Sequence, residues 1–241
     1  MSSRRRHNAI QMLQVEGNPI EGVHDISSAI FNHFSAHFRK TQMVRPSVEN
    51  LRFRRLSVLE AGTLVRPFTA EEVKQAIWDC DSYKSLGPDG IHFGFIKQFW
   101  LMLKDDFMRF ITEFHRNGRL TKGINTTFIA LIPKVSSPQR LNDFRPISLV
   151  GCMYKVLAKI LANRLRAVIG SVVSDAQLAF VKGKQILDGI LIANEAVDEA
   201  RHHKKEMLLF KVDFEKAYDS VDLVYLDEVM QKMNFPTLWR K

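Results

Sequence analysis

The segment best suited to chemistry is an apolar run that ends in a carboxylate. Residues 207–214, Met-Leu-Leu-Phe-Lys-Val-Asp-Phe, are predicted to form a short buried strand with Asp213 near its end. A carboxylate there is costly unless a cation pairs with it, and a divalent metal ion is the usual one. Nucleotidyl transfer by two metal ions needs such carboxylates on rigid strands. Asp213 is therefore a candidate catalytic metal ligand, with the Phe214 carbonyl as a second ligand, although the spacing also allows Asp213 merely to cap the next turn.

Helices are predicted for much of the sequence that precedes this strand. Thr69 and Glu72 have the spacing of a capping box, which starts a short helix. Aromatic-rich helical sequence begins near His92 and ends at Asn117-Gly118, where glycine can adopt the left-handed conformation. An earlier helix is indicated by apolar residues at helical spacing, namely Ile26, Ile30, Phe34 and Phe38.

Two further strands and three helices are predicted in the second half of the sequence. Residues 126–133 are β-branched and apolar and are predicted as a buried strand, and a second strand is predicted near residues 144–149. Long amphipathic helices follow over residues 154–169 and from Ile186 to Ala200, and a last helix lies within residues 221–233. The predicted fold class is α+β, rich in helices and with a small sheet.

Composition favours a polyanionic partner. The 241 residues carry a formal charge of +9 and have a pI near 9.6, and nucleic acid is the commonest partner of so basic a surface. A membrane is not expected as a partner, since no apolar run approaches the length of a bilayer span, and we expect a location in the nucleus or cytoplasm. The two cysteines, Cys80 and Cys152, are too few for a disulfide framework and are interpreted as buried thiols.

Two polar segments contain glycine beside basic residues. Residues 87–90, Gly-Pro-Asp-Gly, have proline at the second and glycine at the fourth position of a tight turn, and Lys84 precedes them. Residues 177–185 also combine glycine, which allows close approach of a backbone, with lysine, which neutralises phosphate without reading sequence. By themselves, these patterns also fit a simple turn and a solvated loop.

In their order along the chain, these segments resemble the reverse transcriptases of non-LTR, LINE-like retrotransposons, particularly those of plants. The resemblance covers about residues 67–241. The matching segments are Lys84 to Gly90, Ile129 to Lys134, Asp143 to Leu149, Tyr154 to Leu165, Gln177 to Gln185 and Asp213 to Asp219. It implies a partial right-hand polymerase fold, with residues 1–66 as a helical and basic lead-in, 67–206 as fingers and 207–241 as the start of the palm.

The resemblance also implies roles for individual residues. Lys134 and Arg145 would close on the triphosphate of the incoming deoxynucleotide, and Tyr218 would lie under its sugar and exclude a 2′-hydroxyl. Asp213 would bind Mg²⁺. The proposed contacts to the RNA template and DNA primer are Lys84, Gly87, Gln177, Lys182, Gly183 and Lys184. A solvated strand-end lysine and a core tyrosine remain the alternatives for Lys134 and Tyr218, and Arg145 would need an anionic partner if buried.

The sequence departs from the family at the paired aspartates of the palm. Its Asp-Asp pair, Asp105-Asp106, lies in helical sequence, so we expect no polymerase activity from this chain alone. A non-catalytic RNA-binding module and a degenerate remnant are the alternatives. Without the paired palm strands, the predicted strand of residues 207–214 would have an open apolar edge, so aggregation or partial disorder is expected after about Met207. The sequence makes no prediction of oligomeric state.

Overall fold

The computed structural model describes residues 10–38, 45–178, 181, 183–210, 212 and 221–241. The chain divides into two compact units, and each unit is built from three separate stretches of sequence. The first unit contains Met1–Val44, Ser85–Ile91 and Asn125–Gly151, and the second contains Arg45–Lys84, His92–Ile124 and Cys152–Lys241. Within the described residues, the chain combines helices with two antiparallel two-stranded sheets, which confirms a mixed α and β structure.

The first unit opens with a β-hairpin that the sequence analysis did not predict. Strands β1 (Met12–Val15) and β2 (Asn18–Glu21) are joined by Glu16 and Gly17, whose φ values of 51° and 85° suit a tight hairpin turn. Helix α1 (Val23–His37) follows and confirms the predicted first helix.

The second hairpin of this unit contains strands β3 (Thr127–Pro133) and β4 (Phe144–Val150), with a 3₁₀ turn at Leu141–Asp143 before β4. Their register pairs Thr127 with Val150 and Pro133 with Phe144, so both predicted strands are confirmed. The small core of the unit consists of Leu13, Ile26, Leu141 and Phe144.

The prediction that β3 is a buried strand is wrong. Phe128, Ile129 and Ile132 are 59%, 43% and 48% exposed. One face of the β3–β4 hairpin packs on the small core through Leu131 and Phe144, and no second layer covers its other face among the described residues of this unit.

The Gly87–Gly90 turn is confirmed and packs against the end of β4. The amide of Gly90 donates to the Gly87 carbonyl at 3.1 Å, and Gly90 has a φ of 65°. Gly87 is buried, and a β-carbon built on it would lie 2.3 Å from the Val150 carbonyl oxygen and 2.7 Å from the Gly151 nitrogen. Only glycine allows the two backbone segments to approach so closely.

Four helices build the main core of the second unit. They are α3 (Ala70–Trp78), α4 (Phe93–Gln98), α5 (Trp100–Asn117) and α6 (Cys152–Val172). The fully enclosed residues of this cluster include Val73, Ala76, Ile77, Ile111 and Val156. The predicted caps are confirmed, because Thr69 and Glu72 form a complete capping box and Gly118 ends α5 with a φ of 64°.

A second cluster joins α2 (Val58–Val65) to the end of α6 and to two final helices, α8 (Leu223–Lys232) and α9 (Thr237–Arg240). Its buried residues are Leu56, Leu64, Val168, Val172 and Phe235. Leu56 ends the basic stretch that contains Arg54 and Arg55. Those arginines are exposed, but Leu56 anchors the segment in the core at 3% exposure.

Helix α7 (Ile186–His202) confirms a predicted helix but has no buried residue among its described side chains. Ala193, Val197 and Ala200 of the predicted apolar stripe are half-buried, whereas Ile190 is 52% exposed. Leu187, Leu191 and Ile192 are exposed as well.

The strand predicted over residues 207–214 is not present in its described part. Residues 207–210 and 212 have no strand conformation, and Leu208 and Phe210 are 90% and 84% exposed. A strand requires a hydrogen-bonded neighbour, and none of the described strands lies beside this segment.

The two cysteines are reduced thiols that belong to the main core cluster. Cys152 is buried as predicted, and Cys80 is half-buried with its thiol near the Ala76 carbonyl, at 3.2 Å. Burial raises the pKa of the Cys80 thiol despite the opposing charges of nearby lysines. Among the described helices, none combines the length and apolar character that a membrane crossing requires.

Candidate nucleic-acid interface

Four of the predicted site residues, Asp213, Phe214, Tyr218 and Lys182, lie outside the described part of the chain. Their metal, sugar and template roles stay predictions. Within the described ranges, no group of three or more histidine, cysteine, aspartate or glutamate side chains is arranged to hold a metal ion. The geometry of the candidate site therefore comes from the predicted phosphate-binding residues.

The structure brings Lys134 and Arg145 together at one end of the β3–β4 hairpin. Arg145 pairs with Ile132 across the two strands. Lys134 continues the same register, because its amide donates to the Asp143 carbonyl at 2.7 Å. Alternate residues of a strand share a face, so Lys134 and Arg145 are diagonal neighbours on the face that bears Ile132.

Both cations are accessible at this end of the hairpin. The Lys134 ammonium donates to the Asn142 carbonyl at 2.9 Å but remains exposed. Arg145 is also exposed, and no carboxylate among the described residues pairs with it. Because Arg145 is exposed, water solvates its guanidinium, and the side chain does not need the anionic partner that burial would have required.

The nearest acidic side chain on this hairpin is Asp143, and it is engaged by the backbone. Its Oδ2 accepts from the amides of Arg140 and Gln139 at 2.8 and 3.0 Å. These two bonds, first that of Arg140, lower the pKa of Asp143 below its usual value. The carboxylate therefore organises the turn before β4 instead of forming a bidentate pair with a cation.

The predicted residues around the glycine turn have different environments. Lys84 is exposed in the second unit. Gly87 is buried in the first unit against the Val150–Gly151 backbone, which gives it a packing function within the protein. Its predicted contact with nucleic acid stays a prediction.

The loop between α6 and α7 contains Gln177, Gly183 and Lys184. The Gln177 amide donates to the Ser174 carbonyl at 3.0 Å, which forms a turn directly after α6. Gly183 has a φ of 83°, a conformation that favours glycine. The Lys184 ammonium closes the loop by donating to the carbonyls of Ser174 and Asp175 at 3.3 and 3.0 Å.

The carboxylate of Asp175 is shared between two cations of the second unit. Its Oδ2 accepts from the Arg54 Nη2 at 2.8 Å, while its Oδ1 lies 3.6 Å from the Lys184 Nζ. The Arg54 bond and charge, followed by the charge of Lys184, lower the pKa of Asp175. The sequence analysis did not identify Arg54 as a contact of this loop.

The basic residues on the polar side of α6 are Lys155, Lys159 and Arg166, and they are only partly exposed. Arg166 is exposed and donates to Asn163 at 3.1 Å. Lys155 and Lys159 are half-buried, and the Lys159 ammonium lies 3.7 Å from Asp79 of the α3 terminus. Lys159 therefore has a structural partner.

Arg164 is a buried cation whose role the sequence analysis missed. It lies on the apolar face of α6 between Ile160 and Val168, and it is only 6% exposed. An arginine at a core position of an amphipathic helix was the available signal, because it demands an anionic partner. That partner is Glu72, the glutamate of the α3 capping box.

The guanidinium of Arg164 is fully satisfied. Its Nε and Nη2 donate to the two Glu72 carboxylate oxygens at 3.0 and 2.9 Å, and its other bonds go to the carbonyls of Leu64, Arg66 and Pro67. Partial burial raises the pKa of Glu72, but the Arg164 bond, the Thr69 amide and the charges of Arg164 and Arg66 outweigh burial and hold that pKa at about 2.

Comparisons with known proteins find one matching family profile and several relatives encoded by transposable elements. A family profile described as "Reverse transcriptase (RNA-dependent DNA polymerase)" matches residues 132–241. An uncharacterized 149 kDa protein of transposon TX1 from Xenopus laevis is 32% identical over 172 residues, which are 71% of this chain and 13% of that protein. A Pol polyprotein of a type-1 R2 retrotransposable element from Nasonia vitripennis is 22% identical over 191 residues, or 79% of this chain and 18% of that protein.

A third relative, the Pol polyprotein of the type-2 element R2DM from Drosophila melanogaster, is 26% identical over 119 residues, which are 49% of this chain and 11% of that protein. The chain therefore spans less than a fifth of each of these relatives. All three belong to transposable elements, which supports the resemblance to the retrotransposon family. None of the three comes from a plant, so the narrower resemblance to plant elements receives no support.

Proposed function

Because this chain belongs to the reverse transcriptases of non-LTR retrotransposons, we propose that its exposed cations bind the phosphates of RNA and of an incoming deoxynucleotide. The single observation that supports this most directly is the neighbouring position of Lys134 and Arg145 on the β3–β4 hairpin. In the complete enzyme, the chemistry would be transfer of a deoxynucleotide to the 3′-hydroxyl of a DNA primer on an RNA template.

The two cation types suit a triphosphate. A guanidinium can donate two parallel hydrogen bonds to phosphate oxygens, whereas an ammonium acts as a compact charge that can approach from several directions. Both groups are exposed on the same strand face, so one anionic group can contact both of them at once. The exposed apolar side chains of Ile132 and Ile147 on that face would border the bound phosphates.

The proposed metal site is based on the family resemblance, because its residues lie outside the described part of the chain. Asp213 and the Phe214 carbonyl would hold Mg²⁺, and Tyr218 would contact the sugar of the deoxynucleotide. Oxygen ligands of this kind are those that Mg²⁺ prefers, and the ion would lower the pKa of the attacking 3′-hydroxyl. The partial right-hand fold, with fingers over residues 67–206 and the palm from residue 207, belongs to the same proposal.

The proposal is tested with a double variant and a charge-matched control. Lys134→Ala with Arg145→Ala removes the hairpin cations, and Arg119→Ala with Lys122→Ala removes an exposed arginine and an exposed lysine from another part of the chain. Binding of a fluorescein-labelled single-stranded RNA and of a deoxynucleoside triphosphate with Mg²⁺ is measured over a range of salt concentrations. The hairpin variant should lose about tenfold in RNA affinity. The slope of the logarithm of its affinity against the logarithm of salt concentration should become shallower by about one for each lost phosphate contact.

Equal losses in the two double variants would refute a specific role for the hairpin. RNA binding that does not respond to salt would refute the phosphate-binding proposal altogether. A conservative Arg145→Lys variant should recover part of the RNA affinity but less of the triphosphate affinity, because lysine keeps the charge without the bidentate fork.

A second candidate function is RNA binding without DNA synthesis by this chain alone. The observation that favours it is the position of Asp105-Asp106, which lie exposed in α5, where Asp106 pairs with Arg109 at 3.4 Å. That Asp-Asp pair is therefore committed to a helix and not to a hairpin. Primer extension on an RNA template with Mg²⁺ should give no product, and efficient DNA synthesis by the purified chain would refute this proposal.

A further inference from the structure

We propose that Arg54 is a positioning residue for nucleic-acid binding, because it draws Asp175 away from Lys184 and so leaves the Lys184 ammonium available to phosphate. This inference rests on the proposed function, in which Lys184 contacts the template or primer. Arg54 itself is not proposed to contact nucleic acid. The three residues belong to the second unit and form one chain of charges with Asp175 in the middle, in which Arg54 and Asp175 are exposed and Lys184 is half-buried.

The contacts show that Asp175 favours Arg54 over Lys184. The Arg54 Nη2 lies at hydrogen-bond distance from Asp175 Oδ2, 2.8 Å, and its Nη1 lies 3.4 Å from the Val173 carbonyl. The Lys184 ammonium is further from the carboxylate, at 3.6 Å, and its shorter contacts are to carbonyl oxygens. Carbonyl oxygens hold an ammonium less strongly than a carboxylate does, so Lys184 can exchange them for phosphate.

Arg54 is held in place by the buried residue that follows it by two positions. The Leu56 amide donates to the Met233 carbonyl, and the Leu56 carbonyl accepts from Asn234 Nδ2, each at 2.9 Å. Leu56 also lies in the core between α2, α6 and α8. The fold therefore fixes the backbone that carries Arg54, and the guanidinium itself is held by Asp175 and the Val173 carbonyl.

Removal of Arg54 and removal of Asp175 should change the affinity of Lys184 for phosphate in opposite directions. Without the guanidinium, the whole charge of Asp175 acts on the Lys184 ammonium. The carboxylate then competes with phosphate for this ammonium, and Lys184 binds phosphate less well. Without the carboxylate, Lys184 retains only its carbonyl contacts and binds phosphate more readily. Because the pair is exposed, each effect is screened by water and salt and should be modest, about two- to fivefold in affinity.

The decisive measurement is the change in RNA affinity caused by Arg54→Ala, compared between chains with and without the Asp175 carboxylate. If Arg54 acts through Asp175, Arg54→Ala weakens RNA binding in the wild-type background but has no effect when Asp175→Asn is already present. An arginine that contacted phosphate directly would cost the same affinity in both backgrounds. The double-variant cycle therefore separates a positioning residue from a direct contact.

The experiment measures binding of the purified full chain to a fluorescein-labelled single-stranded RNA, by anisotropy at two salt concentrations. We expect tighter binding for Asp175→Asn, weaker binding for Arg54→Ala and for Lys184→Ala, and near wild-type binding for Arg54→Lys. Arg52→Ala is the matched control, because Arg52 is an exposed arginine of the same segment that forms no ion pair with any described residue. Since the Arg54 and Asp175 side chains are 52% and 80% exposed, the Arg54 and Asp175 variants should unfold at the same urea concentration as wild type.

Failure of the inference and failure of the proposed function give different results. A wild-type chain with no salt-dependent RNA affinity would overturn both. A wild-type chain that binds RNA would overturn the inference alone if Arg54→Ala and Arg52→Ala lose equal affinity, if Lys184→Ala has no effect, or if the Arg54 effect persists in the Asp175→Asn background.

Discussion

Arg164 and Glu72 form a bidentate pair between α6 and the first turn of α3, with nitrogen to oxygen distances of 3.0 and 2.9 Å. The same glutamate completes the capping box of α3 by accepting from the Thr69 amide at 3.0 Å. The pair therefore connects a local cap to a helix more than ninety residues away. The Phe68 ring adds to this contact, because the guanidinium lies 3.9 Å from its centroid.

Removal of Arg164 should be strongly destabilising. Arg164→Ala leaves the Glu72 carboxylate and three carbonyl oxygens without their donors, and loss of one partner of a buried pair costs about 3–5 kcal/mol. Urea unfolding followed by circular dichroism measures the change. Arg166→Ala, an exposed arginine of the same helix, should change stability by less than about 0.5 kcal/mol. Similar effects of the two variants would show that the pair is not important for stability.

Stability should fall in acid because of Glu72. The pKa of this group is about 2 in the folded chain and near 4.5 when it is unperturbed, so its contribution is complete above pH 5 and is lost as the pH falls towards 2. Integrated over that window, the contribution is about 3 kcal/mol. The free energy of unfolding of the wild type should therefore decrease between pH 5 and pH 2, and Glu72→Gln should flatten this decrease.

The control for this titration is Glu71→Gln. Glu71 is the exposed neighbour of Glu72 in the same helix, so the control removes the same kind of charge. It should leave the acid dependence close to that of the wild type, and an equal flattening in both variants would contradict the role of Glu72.

Gly87→Ala should destabilise the first unit. The added β-carbon would meet the Val150 carbonyl oxygen at 2.3 Å, so the turn or the end of β4 must move, at a cost of about 1–3 kcal/mol. Hydrogen exchange of the amides of β3 and β4 reports on this unit directly. In contrast, Gly62→Ala in α2 adds a methyl group where no atom lies within 4 Å, and it should stabilise the chain by up to about 1 kcal/mol. Unchanged protection in Gly87→Ala would show that the close approach is not required.

Lys97→Met should weaken the end of α3. The Lys97 ammonium donates to the Trp78 and Cys80 carbonyls at 3.2 and 2.7 Å and to Ser82 Oγ at 3.2 Å, so it satisfies the last carbonyl of the helix and one just beyond its end. Loss of these bonds should cost about 1–3 kcal/mol in urea unfolding. Lys104→Met, at an exposed position of α5, is the matched control and should be close to neutral. Equal midpoints for the two variants would contradict the capping role.

The local signals in the sequence predicted local structure well. The Thr69 and Glu72 spacing and the Asn117-Gly118 end predicted the limits of α3 and α5, because caps depend on residues within one turn. The same signal is present before α2, where Ser57 and Glu60 form a second capping box that the sequence analysis did not identify.

The errors come from interactions that are distant in sequence. The apolar run at 207–214 was predicted as a strand from its composition, and its described part is not one, because strand formation depends on a neighbouring strand that local sequence does not specify. Similarly, Arg164 and Glu72 were both visible in the sequence, but their pairing required the packing of α3 on α6.

The candidate site was predictable where register determines it. Once β3 and β4 are paired, Arg145 lies opposite Ile132, and Lys134 follows Ile132 by two positions, which places Lys134 beside Arg145. The environment of Lys184 was not predictable as a whole, because Asp175, which lies beside it, also pairs with Arg54, and that contact joins segments separated by more than one hundred residues.

The placement of both cysteines in the main core has a practical consequence for spectroscopy. Thiolates are the species that react with maleimides, and burial together with the raised pKa of Cys80 keeps both native thiols slow to react. A cysteine introduced at the exposed Ser136, in the loop that joins β3 to β4, should therefore accept a fluorophore selectively without replacement of either native residue. Such a dye would lie two residues from Lys134 and would report ligand arrival at the hairpin in real time.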